Sequence, residues 1–423
     1  MVNELSSRAR ACAALFMSAA LASAAAAQET TEERLDRIEA ENAELRAQLD
    51  ALAGEIERFE LRDVMPQVGQ SVFGLGPAAS KVYAVESGLS IGGYGEALYQ
   101  AHSGSKADTA DFLRGVFYVG YKFDPAWVFN SEIEFEHAST DTGGSASVEF
   151  AYIDHLRSEE LNLRAGLVLL PMGFVNELHE PTAHLGATRP ETEQRIIPST
   201  WRENGVGLFG DVGPFTYRAY VANGLDATGF SADGLRGGRQ KGSKALAEDV
   251  AFVGRLDWTD TPGLVAGGSL YTGGSGQGQA GLGDTDTTII ELHGEAKWRG
   301  FTLRALAARA EVDDVAALNL VLDPTGTETV GEEMEGAYVE LGYDVLAAAH
   351  PQSGQALTPF VRWESLDTQA RVPAGFSADP SKDEEIVTFG VEYRPIDEIV
   401  FKLSFQDLER GTDRLNLLVG YVF

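Results

Sequence analysis

Residues 112–137 read FLRGVFYVGYKFDPAWVFNSEIEFEH. On each side of the tripeptide 124–126, large apolar side chains alternate with polar ones such as Arg114 and Glu132. A period of two places the two sets on opposite faces of a β-strand. Asp, Pro and Ala between the halves are short enough for a tight turn. The stretch therefore predicts an antiparallel hairpin with one apolar face and one charged face.

The same alternation continues to the C-terminus. It predicts sixteen strands, near residues 89–99, 111–123, 127–137, 147–156, 161–170, 205–211, 215–223, 249–258, 264–272, 287–298, 301–310, 335–345, 357–366, 385–394, 399–408 and 415–423. An even number of such strands is what a closed outer-membrane barrel requires, because lipid leaves no backbone group unpaired. The predicted fold is all-β: a 16-stranded antiparallel transmembrane β-barrel over residues 88–423, preceded by a short α-helical coiled coil.

The connections alternate between short and long, with 346–356 as a medium exception. This asymmetry is typical of short periplasmic turns and long extracellular loops. Because the strand number is even, the N-terminus and the C-terminus of the barrel domain both lie on the short-turn side. The chain closes on Phe423, an ending that resembles the signal read by the barrel-assembly machinery. A soluble pair of β-sandwiches would give the same alternation, but it predicts neither the loop asymmetry nor the terminal aromatic residue.

Composition narrows the class of protein. The 423 residues carry a net charge of -31, from 33 Lys and Arg against 64 Asp and Glu, and mean hydropathy is -0.13. These values exclude a bundle of transmembrane helices and disfavour nucleic-acid binding, which needs cations to neutralise phosphates. We expect no cofactor and no metal: His179 and His184 lack a metal-binding helix motif, and Pro181 interrupts the segment.

The N-terminus has the order of a secretory signal peptide. Arg8 and Arg10 precede an apolar stretch, and small residues lead to a predicted cleavage after Ala27. Residues 1–27 are therefore expected to be removed, together with Cys12, the one cysteine in the sequence. The alternative is an uncleaved anchor helix, which the short, alanine-rich core disfavours.

Residues 28–60 are predicted to form a periplasmic coiled coil. Apolar residues and one asparagine recur every three or four positions, at Leu35, Ile38, Asn42, Leu45, Leu49, Leu52 and Ile56. A buried asparagine in such a seam fixes register and oligomer number. A lone amphipathic helix packed on a domain is the alternative. Glycine, proline and serine over residues 61–87 predict a linker.

A family resemblance extends over most of the chain. The run 161–174, LNLRAGLVLLPMGF, and the later run 201–208, WRENGVGL, resemble the phosphate-selective porin O/P family, as does the layout of signal peptide, coiled coil and barrel. The resemblance implies a trimeric, water-filled channel in the outer membrane of a Gram-negative bacterium. It also implies that loop 171–204 folds inward to narrow the pore. In this sequence the charged constriction residues of that loop are Glu177, Arg189, Arg195 and Arg202, a mixed set that departs from the lysine-rich constriction of the family.

Nine cations are expected to line the pore: Arg114, Lys122, Arg164, Arg218, Arg255, Arg304, Arg362, Arg394 and Lys402. A row of guanidinium groups can pass an oxyanion along by bidentate contacts. Carboxylates such as Glu132, Glu291 and Glu364 share that face. Two interpretations therefore stay open. The protein is a porin for small hydrophilic solutes in general, or one that prefers anions such as phosphate. For most of these cations taken singly, the expected role is a structural ion pair with a glutamate on a neighbouring strand.

Two other functions also stay open. The coiled coil could tether the barrel to peptidoglycan, or a rim histidine (His137, His155 or His293) could serve a barrel hydrolase. The hydrolase is the weaker prediction, because no partner for these histidines can be named from sequence. The expected partners are outer-membrane lipid and lipopolysaccharide, small solutes or anions, and two further copies of the chain.

Overall fold

A computed structural model describes residues 38, 40, 42–48, 71–283, 285–350 and 353–423. Two compact units divide the chain, Met1–Leu61 and Arg62–Phe423. In the first unit the described residues, Ile38, Asn42 and Leu45 among them, are helical and exposed. Leu35, Leu49, Leu52 and Ile56 lie outside the described residues, as does the signal peptide, so the coiled coil, its oligomer and the tether stay predictions. No described helix is long and apolar enough to cross a membrane.

The second unit is a closed barrel of sixteen antiparallel strands, which confirms the predicted fold class. The strands are β1 (Gly88–His102), β2 (Thr109–Lys122), β3 (Trp127–Glu136), β4 (Ser145–Leu156), β5 (Asn162–Leu169), β6 (Arg202–Val212), β7 (Phe215–Asn223), β8 (Val250–Trp258), β9 (Leu264–Gly274), β10 (Asp286–Trp298), β11 (Phe301–Val312), β12 (Glu333–Tyr343), β13 (Ala356–Arg371), β14 (Asp383–Ile396), β15 (Ile399–Leu408) and β16 (Arg414–Val422). Among the described residues of this unit, four short α-helices lie between or before the strands: α1 (Lys81–Ala84), α2 (Glu191–Arg195), α3 (Val315–Leu322) and α4 (Val345–Ala349).

The last strand closes the barrel on the first. Tyr94 of β1 pairs with Val422 of β16. Beside that pair, Gly93 and Phe423 exchange two backbone hydrogen bonds of 2.9 Å each. Every strand therefore has two neighbours, and no sheet edge is left to seek a partner.

Alternate residues of each strand face outward and inward. In β16, Leu415, Leu417, Val419 and Tyr421 are exposed on the outer surface, whereas Asn416 is fully buried inside. An apolar outer face with a polar inner face is the pattern of a barrel that stands in lipid and encloses water. A soluble sandwich would bury the apolar set instead.

The connections segregate by length to the two ends of the barrel. At one end they include 170–201, 224–249 and 313–332, and at the other the turns at 213–214, 299–300 and 397–398. The medium connection at this second end, 344–355, contains α4. Exposed Trp127, Trp298, Phe301 and Phe401 flank the short turns, as an interfacial aromatic girdle would.

The stretch before β1 differs from the predicted linker. Residues 71–85 fold back into the barrel, where Leu75, Ala78, Ala79 and Val82 are almost completely buried. These four follow a helical spacing, and α1 forms at the end of the stretch. Apolar burial outweighs the glycine and proline content that suggested an extended connection. We call residues 72–85 the plug.

Candidate solute pathway

The connection from β5 to β6, residues 170–201, contacts side chains on the inner face of the barrel. We call it the inward loop. Its Glu193 accepts hydrogen bonds from the backbone N–H groups of Phe174 (2.7 Å) and Val175 (2.8 Å). The other oxygen of Glu193 accepts from the hydroxyl of Tyr338 on β12 (2.6 Å). The loop thus spans the lumen from the β5–β6 wall to the opposite wall.

Five of the nine predicted pore-lining cations hold this loop by its backbone. They lie on β8, β11, β13, β14 and β15 and donate to loop carbonyl oxygens: Arg255 to Gly173, Arg304 to Ala183 (3.1 Å), Arg362 to Thr188 (3.4 Å), Arg394 to Thr182 (2.6 Å), and Lys402 to His184 and Gly186 (3.1 Å to the latter). Hydrogen bonds from charged donors are stronger than neutral ones. These cations therefore position the inward loop.

The other four cations also have protein partners. Arg114 lies 3.3 Å from Glu134, Arg164 pairs with Asp154 at 2.8 Å, and Arg218 bridges Glu177 and Asp257 at 2.8 Å each. Lys122 donates to the carbonyl oxygen of Tyr83 in the plug (3.0 Å). The contacts of these nine side chains match the ion-pair interpretation more closely than a free ladder of cations.

Replacing Lys402 with methionine is expected to loosen the inward loop. The variant loses two bonds to loop carbonyls and the contact with Glu392 at 3.5 Å. We expect faster proteolytic cleavage within residues 182–188, corresponding to about 2 kcal/mol of lost local stability. Lys106→Met, at an exposed loop position, is the control. Equal cleavage rates in the two variants would show that Lys402 does not hold the loop.

The four predicted constriction residues do not meet at one eyelet. Glu177 bonds Arg218 of β7, Arg195 bonds Glu384 of β14 (3.0 Å), and Arg202 bonds Glu149 of β4 (2.6 Å). These three side chains lie apart because each forms an ion pair with a residue on a different strand of the wall. Arg189 donates instead to the Thr200 hydroxyl (3.0 Å), and no described carboxylate lies within 4.0 Å of it.

A basic cluster lies where the inward loop returns to the wall. Arg239, from the connection 224–249, donates to the carbonyl oxygen of Thr200 and to that of Arg236 (2.9 Å). Arg189 reaches the hydroxyl of the same Thr200, and Arg202 stands two residues further on. We call Arg189, Arg202, Arg236 and Arg239 the arginine cluster. Among the described carboxylates, Glu149 alone forms an ion pair with a member of the cluster.

The arginines of the cluster repel one another. Burial, followed by repulsion from Arg189, lowers the pKa of Arg236 to about 10. Burial, followed by repulsion from Arg236 and Arg202, lowers the pKa of Arg239 to about 9. One terminal nitrogen of Arg236 is buried without a protein hydrogen-bond partner. Sequence reasoning missed Arg236 and Arg239 because they lie on a loop. The signal was the run RGGRQK, 236–241, a basic segment in an acidic chain.

The three histidines considered for hydrolysis lie apart. His137 contacts Asp111 (2.6 Å), and His155 stacks on Trp127. His293 sits between Asp257 (3.0 Å) and Glu291 (2.9 Å). Ser269 is near, but its hydroxyl donates to the Glu291 carboxylate (2.6 Å). In a catalytic triad the nucleophile contacts the imidazole instead.

The histidines of the inward loop belong to the lumen network. His179 contacts Glu132 of β3 (3.0 Å) and the carbonyl oxygen of Asn176 (3.0 Å). Burial, followed by repulsion from Arg189, lowers the pKa of His179 to about 4. No group of three metal-ligating side chains occurs within the described part of the chain.

One sequence relative and several solved structures resemble this chain. No family model matches the sequence. A protein of Aquifex aeolicus (strain VF5), described as uncharacterized, is 37% identical over 360 residues, which is 82% of either chain. The chain belongs to the family of this Aquifex protein.

Solved outer-membrane proteins share the barrel. A loop L8 deletion mutant of OmpT, an outer membrane protein of Vibrio cholerae, has a TM-score of 0.52 at 12% identity, over 80% of this chain and 100% of the other. Salmonella typhi OmpF in complex with daunomycin has a TM-score of 0.52 at 11% identity, over 80% and 98%. A trimer form of V. cholerae OmpT has a TM-score of 0.50 at 11% identity, over 80% and 99%. At these identities the likeness establishes the fold alone.

Proposed function

We propose that this chain is an outer-membrane channel through which small hydrophilic solutes diffuse passively. The observation that carries the proposal is a closed sixteen-strand barrel with an apolar outer face and a polar inner face. Side chains alone fill a barrel of about eight strands, whereas barrels of about sixteen leave an aqueous channel. The inward loop then narrows that channel.

The assembly proposed is a trimer in the outer membrane. The V. cholerae OmpT structure in trimer form supports it by likeness of fold, and the exposed apolar outer face supports the membrane location. The periplasmic coiled coil predicted for residues 28–60 would hold three copies together. Contacts with lipopolysaccharide and recognition of Phe423 by the barrel-assembly machinery belong to the same proposal.

We further propose a preference for anions, with phosphate as one candidate. Eight of the nine predicted pore-lining cations lie within 4.0 Å of a carboxylate, so their positive charges are largely balanced. The arginine cluster is different, because three of its four side chains have no described carboxylate within 4.0 Å. Guanidinium groups bind oxyanions in bidentate fashion. Anions would therefore concentrate at this point of the pathway.

Liposome swelling tests the channel. Vesicles with the purified mature protein should swell in pentose and hexose solutions, at rates that fall with increasing solute size. Vesicles with heat-denatured protein are the control. No swelling in any sugar, from protein shown to be folded and inserted, would rule out passive diffusion of small solutes.

A charge on the outer face tests whether that face meets lipid. Leu417 lies near the middle of β16 with its side chain 45% exposed. Leu417→Arg is expected to cost about 2–4 kcal/mol of stability in a bilayer, because the guanidinium would stand in hydrocarbon. Unfolding by urea in lipid vesicles measures the loss. Ala378→Arg, on an exposed connection, is the control, and equal stability of the two variants would contradict a lipid-facing β16.

A further inference from the structure

The plug lies at the short-turn end of the barrel and touches both the wall and the inward loop. Glu180 of the inward loop accepts hydrogen bonds from the backbone N–H groups of Ala78 (3.0 Å) and Ala79 (3.2 Å). Gly76 makes this approach possible, since a Cβ at that position would collide with the Glu180 carboxylate. The plug and the loop that narrows the lumen are thus in direct contact.

Five polar contacts join the plug to the wall, two of them between the Tyr83 hydroxyl and the side chains of Arg164 and Tyr152 (3.2 Å each). The Asn130 amide of β3 donates to the carbonyl oxygen of Ala79 (2.9 Å), and Lys122 of β2 donates to that of Tyr83 (3.0 Å). The Tyr83 hydroxyl donates to Asp154 of β4 (2.7 Å). The plug adds no strand to the sheet, since each barrel strand already has its two neighbours.

This form of attachment differs from that of the barrel. A strand is held by ladders of backbone bonds on both sides, whereas the plug is held by seven hydrogen bonds to side chains and by one buried apolar face. Each such hydrogen bond contributes modestly to stability, about 1 kcal/mol net. Elements attached by few contacts open without unfolding the rest. The plug can therefore leave while the barrel stays closed.

We propose that residues 72–85 are a gate: docked, they restrict the short-turn end of the lumen, and undocked, they open it. The proposal rests on the channel function proposed above. The plug would then control solute passage at the short-turn end. The hydrogen bonds that Glu180, Asn130 and Lys122 make with the plug hold it docked, and we call these bonds the latch. The docked state is the low-conductance state.

An engineered disulfide tests the gate. A Cβ on Gly120 of β2 would lie 2.7 Å from the Cβ of Val82 in the plug, and a shift of about 1 Å brings the pair to disulfide geometry. The sequence has one cysteine, Cys12, in the predicted signal peptide. Val82→Cys/Gly120→Cys therefore adds the one thiol pair of the processed chain, and each single variant is a control.

Single-channel recording reads the result. With the disulfide formed, we expect loss of the large open state. Reduction should restore that state in the same channels, and the single-cysteine variants should not respond to reductant. Identical currents before and after reduction, with the disulfide verified by mass, would overturn the gate while leaving the channel in place. No current in either state, from folded barrels, would overturn the channel itself.

A latch variant avoids dependence on the crosslink. Glu180→Ala leaves two plug N–H groups without their acceptor, so the docked state loses about tenfold in population relative to the open state. If the unaltered channel is closed most of the time, its open probability should rise about tenfold in this variant. Glu159→Ala, at an exposed turn, is the control. An open probability equal to that of the control would overturn the latch.

Discussion

Arg236→Glu combined with Arg239→Glu is expected to lower the ratio of anion to cation permeability about tenfold, because two cations of the pathway become anions in a poorly solvated place. Three of the four arginines in the arginine cluster form no ion pair with a described carboxylate. The reversal potential in a salt gradient measures the ratio. Arg236→Gln with Arg239→Gln should give an intermediate value, since it removes charge without adding any.

Arg157→Glu is the matched control, because it reverses an exposed arginine in the turn between β4 and β5. It should leave the permeability ratio close to that of the unaltered protein. If the double glutamate variant matched this control, the arginine cluster would have no part in selectivity. The anion preference would then have to be abandoned, with the barrel and the channel untouched.

The second large effect is a loss of stability on replacing Arg362, a buried arginine on the inner face of the barrel wall. Arg362 of β13 is fully buried, 2.8 Å from Glu364 and 3.4 Å from Glu340. Arg362→Met would leave two buried carboxylates without their cation, a change that costs about 3–5 kcal/mol. Urea unfolding of barrels in detergent micelles measures this loss. The inward loop should also lose its bond at Thr188.

Two further variants separate charge from packing. Arg309→Met removes an outward-facing arginine with a half-exposed side chain, and we expect a loss of about 1 kcal/mol or less. Adding Glu340→Gln and Glu364→Gln to Arg362→Met should recover much of the stability, because the buried negative charges are gone. A loss at Arg362 no larger than at Arg309 would show that the lumen pairs are not structural.

The barrel was predictable from sequence because its signal is local. In β16, Leu415, Leu417, Val419 and Tyr421 occupy every second position, and the structure keeps all four on the outer face. Strand number followed from counting such segments, and loop asymmetry fixed which end was which. The inward course of the β5–β6 connection was expected from the family resemblance alone, whereas the contact of Glu193 with Tyr338 had no sequence signal.

The partners of the lumen cations were not predictable, because they depend on register and on loop position. Arg362 faces Glu340 only through the pairing of β12 with β13. Its bond to Thr188 requires the loop to cross the lumen at that height. The plug was not predicted from sequence, for a different reason. Its helical spacing at Leu75, Ala78, Ala79 and Val82 is short, and glycine and proline around it predict a linker.

Single-channel current through the purified mature protein in a planar bilayer tests the central claim most directly. We predict discrete steps of conductance in potassium chloride, with a reversal potential that shows anions crossing more readily than cations. Each trimer should close in up to three steps. Folded, inserted barrels that pass no current at any applied voltage would contradict the assignment as a channel.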